Sequence, residues 1–494
     1  MTVRTVSGPT QRVLVVGAGL GGLSAALRLA ATGREVTVVE REDVPGGRAG
    51  VWRCDGYTFD TGPTVLTMPE LIEEALHCVG ERMEDWLTLK SLDPLYRARF
   101  HDGSQLDVRA DPEAMTTEIS RVCGSREADG YRRFHDFISR LYRYQINDFI
   151  DRNIDSPFGM LTPNLARLVA AGGFRRLSNK IASFLHDPRT QKVFSFQAMY
   201  AGVSPFKALA LYAVISYMDT VNGVYFPVGG MQAVPEAMAA AAEKHGVRFR
   251  YSTEVTKVEL TGDRATAVIT DRGERLPADV VVLNPDLPVA YRDLLGRTPR
   301  SVRRLNYSPS CFVVLAGSRA GYEGLAHHNI QFGGAWRSTF QELLEEGRLM
   351  QDPSFLVTTP THTDPSLAPP GKHTYYVLFP APNLRANLDW NHLRTSYRDE
   401  VMSVLERNGY TGFGSSVEVE QVTTPLDWAQ RGMAVGTPFA AAHTMWQTGP
   451  FRPGNLWGEN VVFAGSGTRP GVGVPMVLIS GRLAAERITG QPTL

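Results

Sequence analysis

The chain has 494 residues, of which 43% are hydrophobic and 21% are charged, and its formal net charge is zero. This composition is that of an ordinary globular protein, and the length exceeds what one compact core accommodates, so two closely connected domains are expected. The zero net charge excludes a protein-wide electrostatic attraction to nucleic acid or to an anionic membrane.

The first twelve residues, MTVRTVSGPTQR, are polar and lack the apolar core of a signal peptide. No run of about eighteen apolar residues occurs, so we expect no membrane-spanning helix. The four cysteines, Cys54, Cys78, Cys123 and Cys311, lie far apart without a CxxC pair, which argues against a disulfide framework and a zinc site. We therefore expect a cytoplasmic protein without a bound metal ion.

A nucleotide-binding unit is predicted at the start of the chain. The β-branched run Arg12–Val16 predicts a buried parallel strand, residues 17–22 form a glycine-rich turn, and residues 23–32 predict a helix. Such a turn lets the backbone approach a pyrophosphate, which the free N–H groups and the dipole of the helix would bind. The residues assigned to the cofactor here are Gly17, Gly19, Leu20, Gly21 and Gly22.

A second apolar strand, Glu35–Val39, ends at Glu40, eighteen residues after Gly22. A carboxylate at this place accepts the two ribose hydroxyls of an adenosine half and repels a 2′-phosphate. A glycine-rich turn alone is weak evidence, but strand, turn, helix, strand and acid in this order together indicate a dinucleotide site. Glu40 is therefore a predicted cofactor ligand.

The motif continues past Glu40 to Gly46-Gly47-Arg48, so that residues 17–48 read GxGxxGxxxAxxLxxxGxxVxxxExxxxxGGR. This pattern resembles the dinucleotide-binding motif of the flavoprotein superfamily that contains amine oxidases, carotenoid desaturases and Rab GDP-dissociation inhibitors. Nicotinamide dehydrogenases lack the final GGR, so the resemblance implies FAD. Gly47 would let the backbone approach the cofactor and Arg48 would pair with a phosphate. The alternative for Arg48 is a surface cation.

Residues 56–64, GYTFDTGPT, are similar to a block found in related carotenoid enzymes. In those enzymes the stretch corresponding to residues 60–64 approaches the isoalloxazine ring of the flavin. The resemblance therefore implies that Gly62, Pro63 and Thr64 lie at the cofactor. By itself, the Gly-Pro pair is also typical of an ordinary turn.

Apolar residues recur near helical spacing from Phe206 to Ile215, which is typical of a core helix. An enzyme acting on a water-insoluble substrate also needs an interfacial apolar helix, and residues 208–218 are our candidate for it.

An alanine-rich helix is predicted near residues 231–244. Strands are predicted after it at residues 247–251, 255–260, 265–270 and 280–283. By resemblance, Val255 is the position whose backbone meets the adenine; the alternative is a strand residue without a ligand.

Histidines supply no obvious catalyst. Adjacent His327 and His328 should point to opposite faces of a strand, and without further ligands at metal spacing they favour a structural or surface role. His362 and Asp364, in a loop rich in proline and threonine, are expected in solvent.

Near the C-terminus, residues 460–464 predict a strand, residues 465–473 a glycine-rich loop, and Met476 to Ile488 a helix that starts at Pro475. By resemblance, this segment covers the flavin ring and ribityl chain, and the helix dipole would stabilise a reduced, anionic flavin. The residues implied here are Gly465, Gly467, Thr468, Gly473, Val474 and Pro475. No cysteine lies in this segment, so the FAD is expected to be non-covalent.

The expected fold class is α/β, with a Rossmann-like, discontinuous FAD-binding domain and an interleaved α+β substrate domain. Residues 1–69, 223–289 and 451–494 are assigned to the FAD-binding domain. Residues 70–222 and 290–450 are assigned to the substrate-binding domain, including the possible membrane-contacting helix. The segments interleave, so one rigid body with a cleft between two lobes is expected.

With further blocks at residues 202–206, 226–230, 325–329 and 387–390, nearly the whole chain resembles bacterial phytoene desaturases. The resemblance implies FAD-dependent desaturation of a linear C40 carotenoid precursor, most simply phytoene towards lycopene or an intermediate. A hydride would leave an allylic carbon for the flavin, and a proton would then leave the neighbouring carbon. No catalytic residue is assigned, because the polyene delocalises the cation and the flavin carries the chemistry.

Three alternatives remain open: a carotenoid isomerase, another flavin oxidase of an apolar isoprenoid such as a C30 desaturase, and a non-catalytic binding protein similar to the GDP-dissociation inhibitors. A phytoene-like substrate would be drawn from a bilayer, so peripheral attachment to the inner face of the membrane is expected. Oxygen or a membrane quinone would accept the electrons, an oligomer is possible, and no nucleic acid partner is expected.

Overall fold

A six-stranded sheet is built around the first predicted strand. In the computed structural model, which describes residues 3–493, Arg12–Val16 pairs in parallel with Glu35–Val39 on one side and Val280–Leu283 on the other. In spatial order the strands are Leu456–Trp457, Val461–Phe463, Val280–Leu283, Arg12–Val16, Glu35–Val39 and Arg248–Arg250. All neighbouring strands in this sheet are parallel except Leu456–Trp457 and Val461–Phe463, which are antiparallel. The central strands are almost wholly buried, which explains their continuous β-branched sequences.

Helices from the two ends of the chain pack together beside this sheet. Leu20–Ala31 contacts both Ala233–Lys244 and Val474–Thr489. The Ser24 hydroxyl donates to the carbonyl oxygen of Leu478 (2.7 Å), a bond between residues 454 positions apart in sequence. The first and last helices of the described chain therefore form one tightly packed pair.

A second, seven-stranded sheet is mostly antiparallel. Its strands, in spatial order, are Val417–Thr423, Ser310–Ser318, His373–Ala381, Phe355–Thr358, His328–Phe332, Tyr96–Phe100 and Gln105–Val108. Only Tyr96–Phe100 and His328–Phe332 pair in parallel. Smaller antiparallel sheets join Val255–Thr261, Arg264–Thr270 and Arg275–Pro277, then Val51–Cys54 with Tyr57–Asp60, and Leu89–Ser91 with Tyr225–Pro227.

The remaining α-helices lie mostly in the segments that contribute the second sheet. They are Glu70–His77, Pro112–Cys123, Ser125–Gln145, Pro163–Ala170, Leu177–Ala182, Pro188–Val193, Val214–Thr220, Leu287–Val289, Arg300–Arg303, Trp336–Gln341, Trp390–Arg407, Phe413–Ser416 and Pro425–Gln430. Within residues 3–493, no helix combines the length and the apolar character needed to cross a bilayer.

Each of the two large sheets takes its strands from one of the two sets of segments that the sequence assigned to separate domains. Every strand of the six-stranded sheet lies within residues 1–69, 223–289 or 451–494, and every strand of the seven-stranded sheet lies within 70–222 or 290–450. The α/β fold class is confirmed. The assignment of cofactor and substrate to these two sets of segments stays a prediction.

Two expectations about exposure are wrong. Residues 208–218 form a 3-10 turn, Ala210–Ala213, followed by the start of the helix Val214–Thr220, and every one of them is buried or partly buried. None of them is exposed at the outer surface, because the fold surrounds this segment and its apolar side chains, such as Leu211, Ile215 and Met218, face the cavity. Asp364 is buried rather than solvated, and it accepts a hydrogen bond from the Gly229 N–H (2.7 Å).

The paired histidines also differ from the expectation. The strand begins at His328, so His327 precedes it and the alternation between strand faces does not separate the two rings. Their ring centroids are 4.5 Å apart, and both residues are buried. Burial holds the pKa of His328 at about 3, so both rings favour the neutral form and suit a structural role.

Candidate cofactor and substrate cavity

One cavity of about 1350 Å³ is lined by segments from both ends of the chain and from both large sheets. It extends from the glycine-rich turn after the first strand to an apolar region formed by residues of the seven-stranded sheet and its helices. The predicted site residues that line it are Gly17, Gly19, Leu20, Gly21, Glu40, Gly47, Arg48, Gly62, Pro63, Thr64, Val255, Gly465, Gly467, Gly473, Val474 and Pro475. Gly22 and Thr468 lie behind its wall.

The N-terminal turn leaves a helix end open towards the cavity. Gly17 has a φ of +100°, which favours glycine, and Gly19 is the N-cap of Leu20–Ala31 without any side-chain cap. A Cβ built at Gly22 would lie 2.3 Å from the Gly17 carbonyl oxygen, so only glycine permits this tight strand–helix junction. The first N–H groups of the helix are therefore available to an anionic group.

The C-terminal loop provides a second open helix end. Gly473 is the N-cap of Val474–Thr489, has a φ of +115°, and also lacks a side-chain cap. A Cβ built at Gly21 would lie 3.1 Å from the backbone nitrogen of Gly465. The two glycine-rich loops are thus in direct contact, and two positive helix ends serve the same cavity.

Asn284 joins these loops and was not anticipated from the sequence. Its Nδ2 donates to the Ala464 carbonyl oxygen (3.0 Å), and its backbone N–H donates to the Val16 carbonyl oxygen (2.9 Å). A Cβ built at Gly19 would lie 2.5 Å from Asn284 Oδ1. The sequence could have indicated Asn284, since it directly follows the strand Val280–Leu283 and ligands bind at the carboxyl ends of parallel strands.

Glu40 is buried at the edge of the turn. Its carboxylate accepts hydrogen bonds from the N–H groups of Ala18 (2.6 Å) and Glu42 (3.0 Å). Burial raises its pKa, and the two backbone donors act in the opposite direction. Since each carboxylate oxygen has a second lone pair, Glu40 can brace the turn and still accept ribose hydroxyls.

Arg48 is part of the cavity wall rather than a free surface cation. Its guanidinium lies 3.4 Å from the Asp286 carboxylate and contacts the Ser466 hydroxyl. This links the GGR segment to the C-terminal loop. Asp286 in turn accepts the N–H of Ala434 (2.9 Å).

Arg452 supports the C-terminal loop from behind. This arginine is 1% exposed and donates to the carbonyl oxygens of Ala441 (3.2 Å), Ser466 (2.7 Å) and Thr468 (3.0 Å). Burial lowers its pKa to about 10, so it stays protonated at neutral pH. A positive charge is therefore fixed behind the loop, although no motif in the sequence marked it.

A histidine also packs against this loop. A Cβ built at Gly471 would lie 2.3 Å from His443 Cε1, so only glycine fits beside the ring. His443 lines the cavity, and burial holds its pKa well below its usual range. It contributes a neutral ring to the wall.

The far end of the cavity is apolar and opens at the surface. Its aromatic and aliphatic lining includes Phe196, Leu211, Ile215, Met218, Phe332 and Trp336. Phe174, Met445 and Phe451 line the cavity and are also 42%, 54% and 49% exposed, which places them at its mouth. The space is thus long, polar at one end and apolar at the other.

The residues present fit an FAD molecule. Two uncapped helix ends and Arg48 match a diphosphate and an electron-rich flavin edge, and Glu40 matches a ribose diol. The glycine contacts leave room for groups that approach the backbone closely. The apolar end has the shape and chemistry for a long hydrocarbon beside the flavin.

Comparisons with known proteins agree with this geometry. The family model described as "Flavin containing amine oxidoreductase" matches residues 20–489. The chain is 58% identical to a phytoene dehydrogenase of Streptomyces griseus, over 98% of this chain and 96% of that protein. It is 38% identical to a zeta-carotene-forming phytoene desaturase of Myxococcus xanthus, over 97% and 94%.

A solved structure shares the fold. An oxidoreductase from Methanosarcina mazei superimposes with a TM-score of 0.61 at 18% identity, covering 97% of this chain and all of that one. At this identity the likeness concerns architecture alone.

Proposed function

This chain belongs to the phytoene desaturase family of the flavin containing amine oxidoreductases, and on that premise we propose that it desaturates a linear, phytoene-like carotenoid precursor with non-covalently bound FAD. It is an FAD-dependent oxidoreductase, as the sequence motif predicted. The observation that carries the proposal is the single cavity that joins two open helix ends to an apolar region with a surface mouth.

The protein's own contribution is mainly to hold and shield the reactants. When bound, FAD supplies a two-electron acceptor for hydride. The aromatic and aliphatic wall around Phe332 and Trp336 would hold the hydrocarbon in line and exclude water. The buried Arg452 and the end of Val474–Thr489 would stabilise negative charge on the reduced cofactor.

The direct test uses the purified full chain with FAD and liposomes loaded with phytoene. We expect products with longer conjugation, detected by absorption spectra and chromatography, together with stoichiometric consumption of an electron acceptor. An isomerase would change the chromatogram without acceptor turnover. A chain that neither retains FAD nor converts phytoene would match a binding protein instead and would contradict the proposal.

Non-covalent attachment has its own test. The C-terminal loop, residues 465–473, contains no cysteine to form a thioether with the flavin. Acid precipitation of the yellow holoprotein should therefore release all flavin into the supernatant. A yellow pellet would contradict this part of the proposal.

We also propose that the chain docks on a membrane through the mouth of the cavity. We call the exposed apolar side chains at this mouth and in the chain segments next to it the apolar rim: Phe174, Met445 and Phe451, which line the cavity, with Phe158, Leu161, Val169 and Trp446. The two segments of the rim touch each other, since a Cβ built at Gly449 would lie 3.6 Å from Met160 Sδ. Leu161 and Phe158 are 72% and 70% exposed, an unusual position for large apolar side chains in water.

The charges near the rim also favour docking on a membrane. Between Asp155 and Asp187 the sequence contains no aspartate or glutamate. The same stretch contains Arg167, Arg175, Arg176 and Lys180. A basic, acid-free segment that carries exposed apolar side chains suits an anionic bilayer, and each basic residue near such a surface contributes about 1 kcal/mol.

The combined variant Phe158→Ser, Leu161→Ser and Trp446→Ser tests the docking. At about 1 kcal/mol for each partly inserted side chain, we expect vesicle affinity to fall roughly 100-fold in flotation with anionic liposomes. Val228→Ser is the control, since Val228 is a 39% exposed apolar residue that lies outside both segments of the rim. Unchanged flotation of the triple variant would show that the rim does not contact lipid.

A further inference from the structure

One buried carboxylate in the cavity has no partner. The three buried carboxylates that line the cavity are Glu40, Asp219 and Asp286. Glu40 accepts two backbone N–H groups, and Asp286 accepts one and pairs with Arg48. Asp219 is 6% exposed and forms no hydrogen bond or ion pair with any residue between 3 and 493. Folding therefore buries a carboxyl group that no structural contact explains.

Asp219 belongs to the cavity face of the helix Val214–Thr220. The residues of this helix that line the cavity are Val214, Ile215, Met218 and Asp219. The other face is held by the protein: Tyr217 stacks on Tyr142 with ring centroids 4.4 Å apart, and the Ser216 hydroxyl donates to the Phe194 carbonyl oxygen (3.2 Å). The carboxyl group thus lies among apolar residues on a helix whose orientation is fixed.

The wall that carries Asp219 continues to the segment predicted at the flavin ring. Tyr225, six residues further along, donates its N–H to the Leu66 carbonyl oxygen (2.8 Å). Leu66 lies two residues after the segment Gly62-Pro63-Thr64, whose three residues line the cavity too. The chain that follows Asp219 is therefore hydrogen-bonded beside the segment predicted at the flavin ring.

The surroundings suit a proton acceptor. Burial raises the pKa of Asp219 to about 7, and no cation opposes this. The titratable groups close enough to feel its charge are Tyr96 and Tyr200, whose own pKa values are raised by burial and, secondarily, by Asp219. A base with a pKa near the working pH is the most effective in general acid–base catalysis.

We infer that Asp219 is the base that removes the second hydrogen in each desaturation, an inference that rests on the proposed function. With FAD bound, an allylic C–H bond would break and its hydrogen would leave with the electron pair, for which the cofactor would supply the acceptor. The neighbouring C–H bond then breaks, its electron pair forms the new double bond, and its proton passes to the Asp219 carboxylate. Before that transfer the carboxylate also stabilises the allylic cation, because the apolar wall screens little charge.

The decisive variant is Asp219→Asn, which keeps the shape but cannot accept the proton. We expect FAD content to stay close to that of the wild type and the melting temperature at neutral pH to be no lower, while product formation from phytoene in a single anaerobic turnover falls 100- to 10,000-fold, in line with the usual contribution of a general base. The wild-type rate should rise with pH through about 7, and the variant should lose this rise. Asp219→Glu should recover part of the rate.

A spectroscopic measurement tests the same group without turnover. Infrared spectra should show a protonated carboxyl band that is lost as the pH rises through about 7, and this loss should be larger in the wild type than in Asp219→Asn, where the buried Asp60, whose pKa is also raised to about 7, still titrates. Tyr217→Phe, on the opposite face of the helix, is the control and should keep both the band and the rate.

The outcomes separate the two claims. If the wild type converts phytoene and Asp219→Asn does so at the same rate with the same pH profile, the assignment of Asp219 is wrong and the proposed function stands. If the loss of the infrared band through pH 7 is equally large in the wild type and in Asp219→Asn, the assignment is also wrong. If the wild type itself leaves phytoene unchanged while retaining FAD, the proposed function fails first.

Discussion

The contact between the first and last helices can be tested by a single methyl group. Gly481→Ala would place a Cβ 2.4 Å from the Gly21 carbonyl oxygen and 2.6 Å from Ser24 Cβ. Both obstacles belong to the backbone or lie next to it, so no side-chain rotation relieves them, and the helices must separate by about 0.6 Å or more. Such overpacking costs roughly 1–3 kcal/mol, and the better helix propensity of alanine returns about 1 kcal/mol.

We therefore expect Gly481→Ala to lower the free energy of unfolding in urea by up to about 2 kcal/mol and to weaken FAD retention, because both open helix ends shift. Gly414→Ala is the matched control: Gly414 lies in the helix Phe413–Ser416, and a Cβ built there meets nothing within 4 Å. This control should be neutral or slightly stabilising. A Gly481→Ala protein as stable as the wild type, with the same flavin content, would refute the steric reasoning.

Three further predictions concern the cavity. Gly19→Val should abolish FAD retention, since even a Cβ at this position lies 2.5 Å from Asn284 Oδ1; the flavin absorbance of the purified protein measures it, and normal absorbance would show that the turn does not hold the cofactor. Glu40→Ala should weaken FAD binding without removing it, because the N–H groups of Ala18 and Glu42 lose their acceptor, and leaving such donors unpaired costs about 1–3 kcal/mol. Titration of apoprotein with FAD tests this, and an unchanged affinity would contradict it. Burial raises the pKa values of Asp60 and Asp219 to about 7, so the folded state binds more protons than the unfolded state between pH 4 and 7. The free energy of unfolding should therefore fall as pH rises through this range, by up to about 4 kcal/mol per residue. Urea melts of Asp219→Asn should show a smaller fall than those of the wild type, and an equal fall would contradict the raised pKa of Asp219.

The cofactor half of the molecule was largely predictable from the sequence. The strands Arg12–Val16, Glu35–Val39 and Val280–Leu283 have the bounds that their β-branched runs predicted. This agreement has a physical reason: a parallel strand covered on both faces must be apolar throughout, and glycine is required where backbones meet. The helix after the first turn begins three residues earlier than predicted, at Leu20, because Gly19 is its cap.

Single polar residues with distant partners were not predictable. Asn284 acts through Ala464, and Arg452 acts through carbonyl groups of the C-terminal loop and of Ala441. Asp219 matters because it has no partner, which only the packed structure reveals. Residues 208–218 were misassigned for a related reason: apolar spacing specifies an apolar face, and it does not specify whether that face meets protein, an internal cavity or lipid.

The contact between Gly21 and Gly465 sets an order of events during synthesis. A ribosome that adds about 5–20 residues per second needs on the order of half a minute to a minute and a half to travel from one glycine to the other. Throughout that delay the first turn is complete but its opposite wall does not exist. We therefore expect FAD to be loaded only after both loops have been synthesised, and a chain interrupted before Val461 would carry the nucleotide motif without the loop that contacts it.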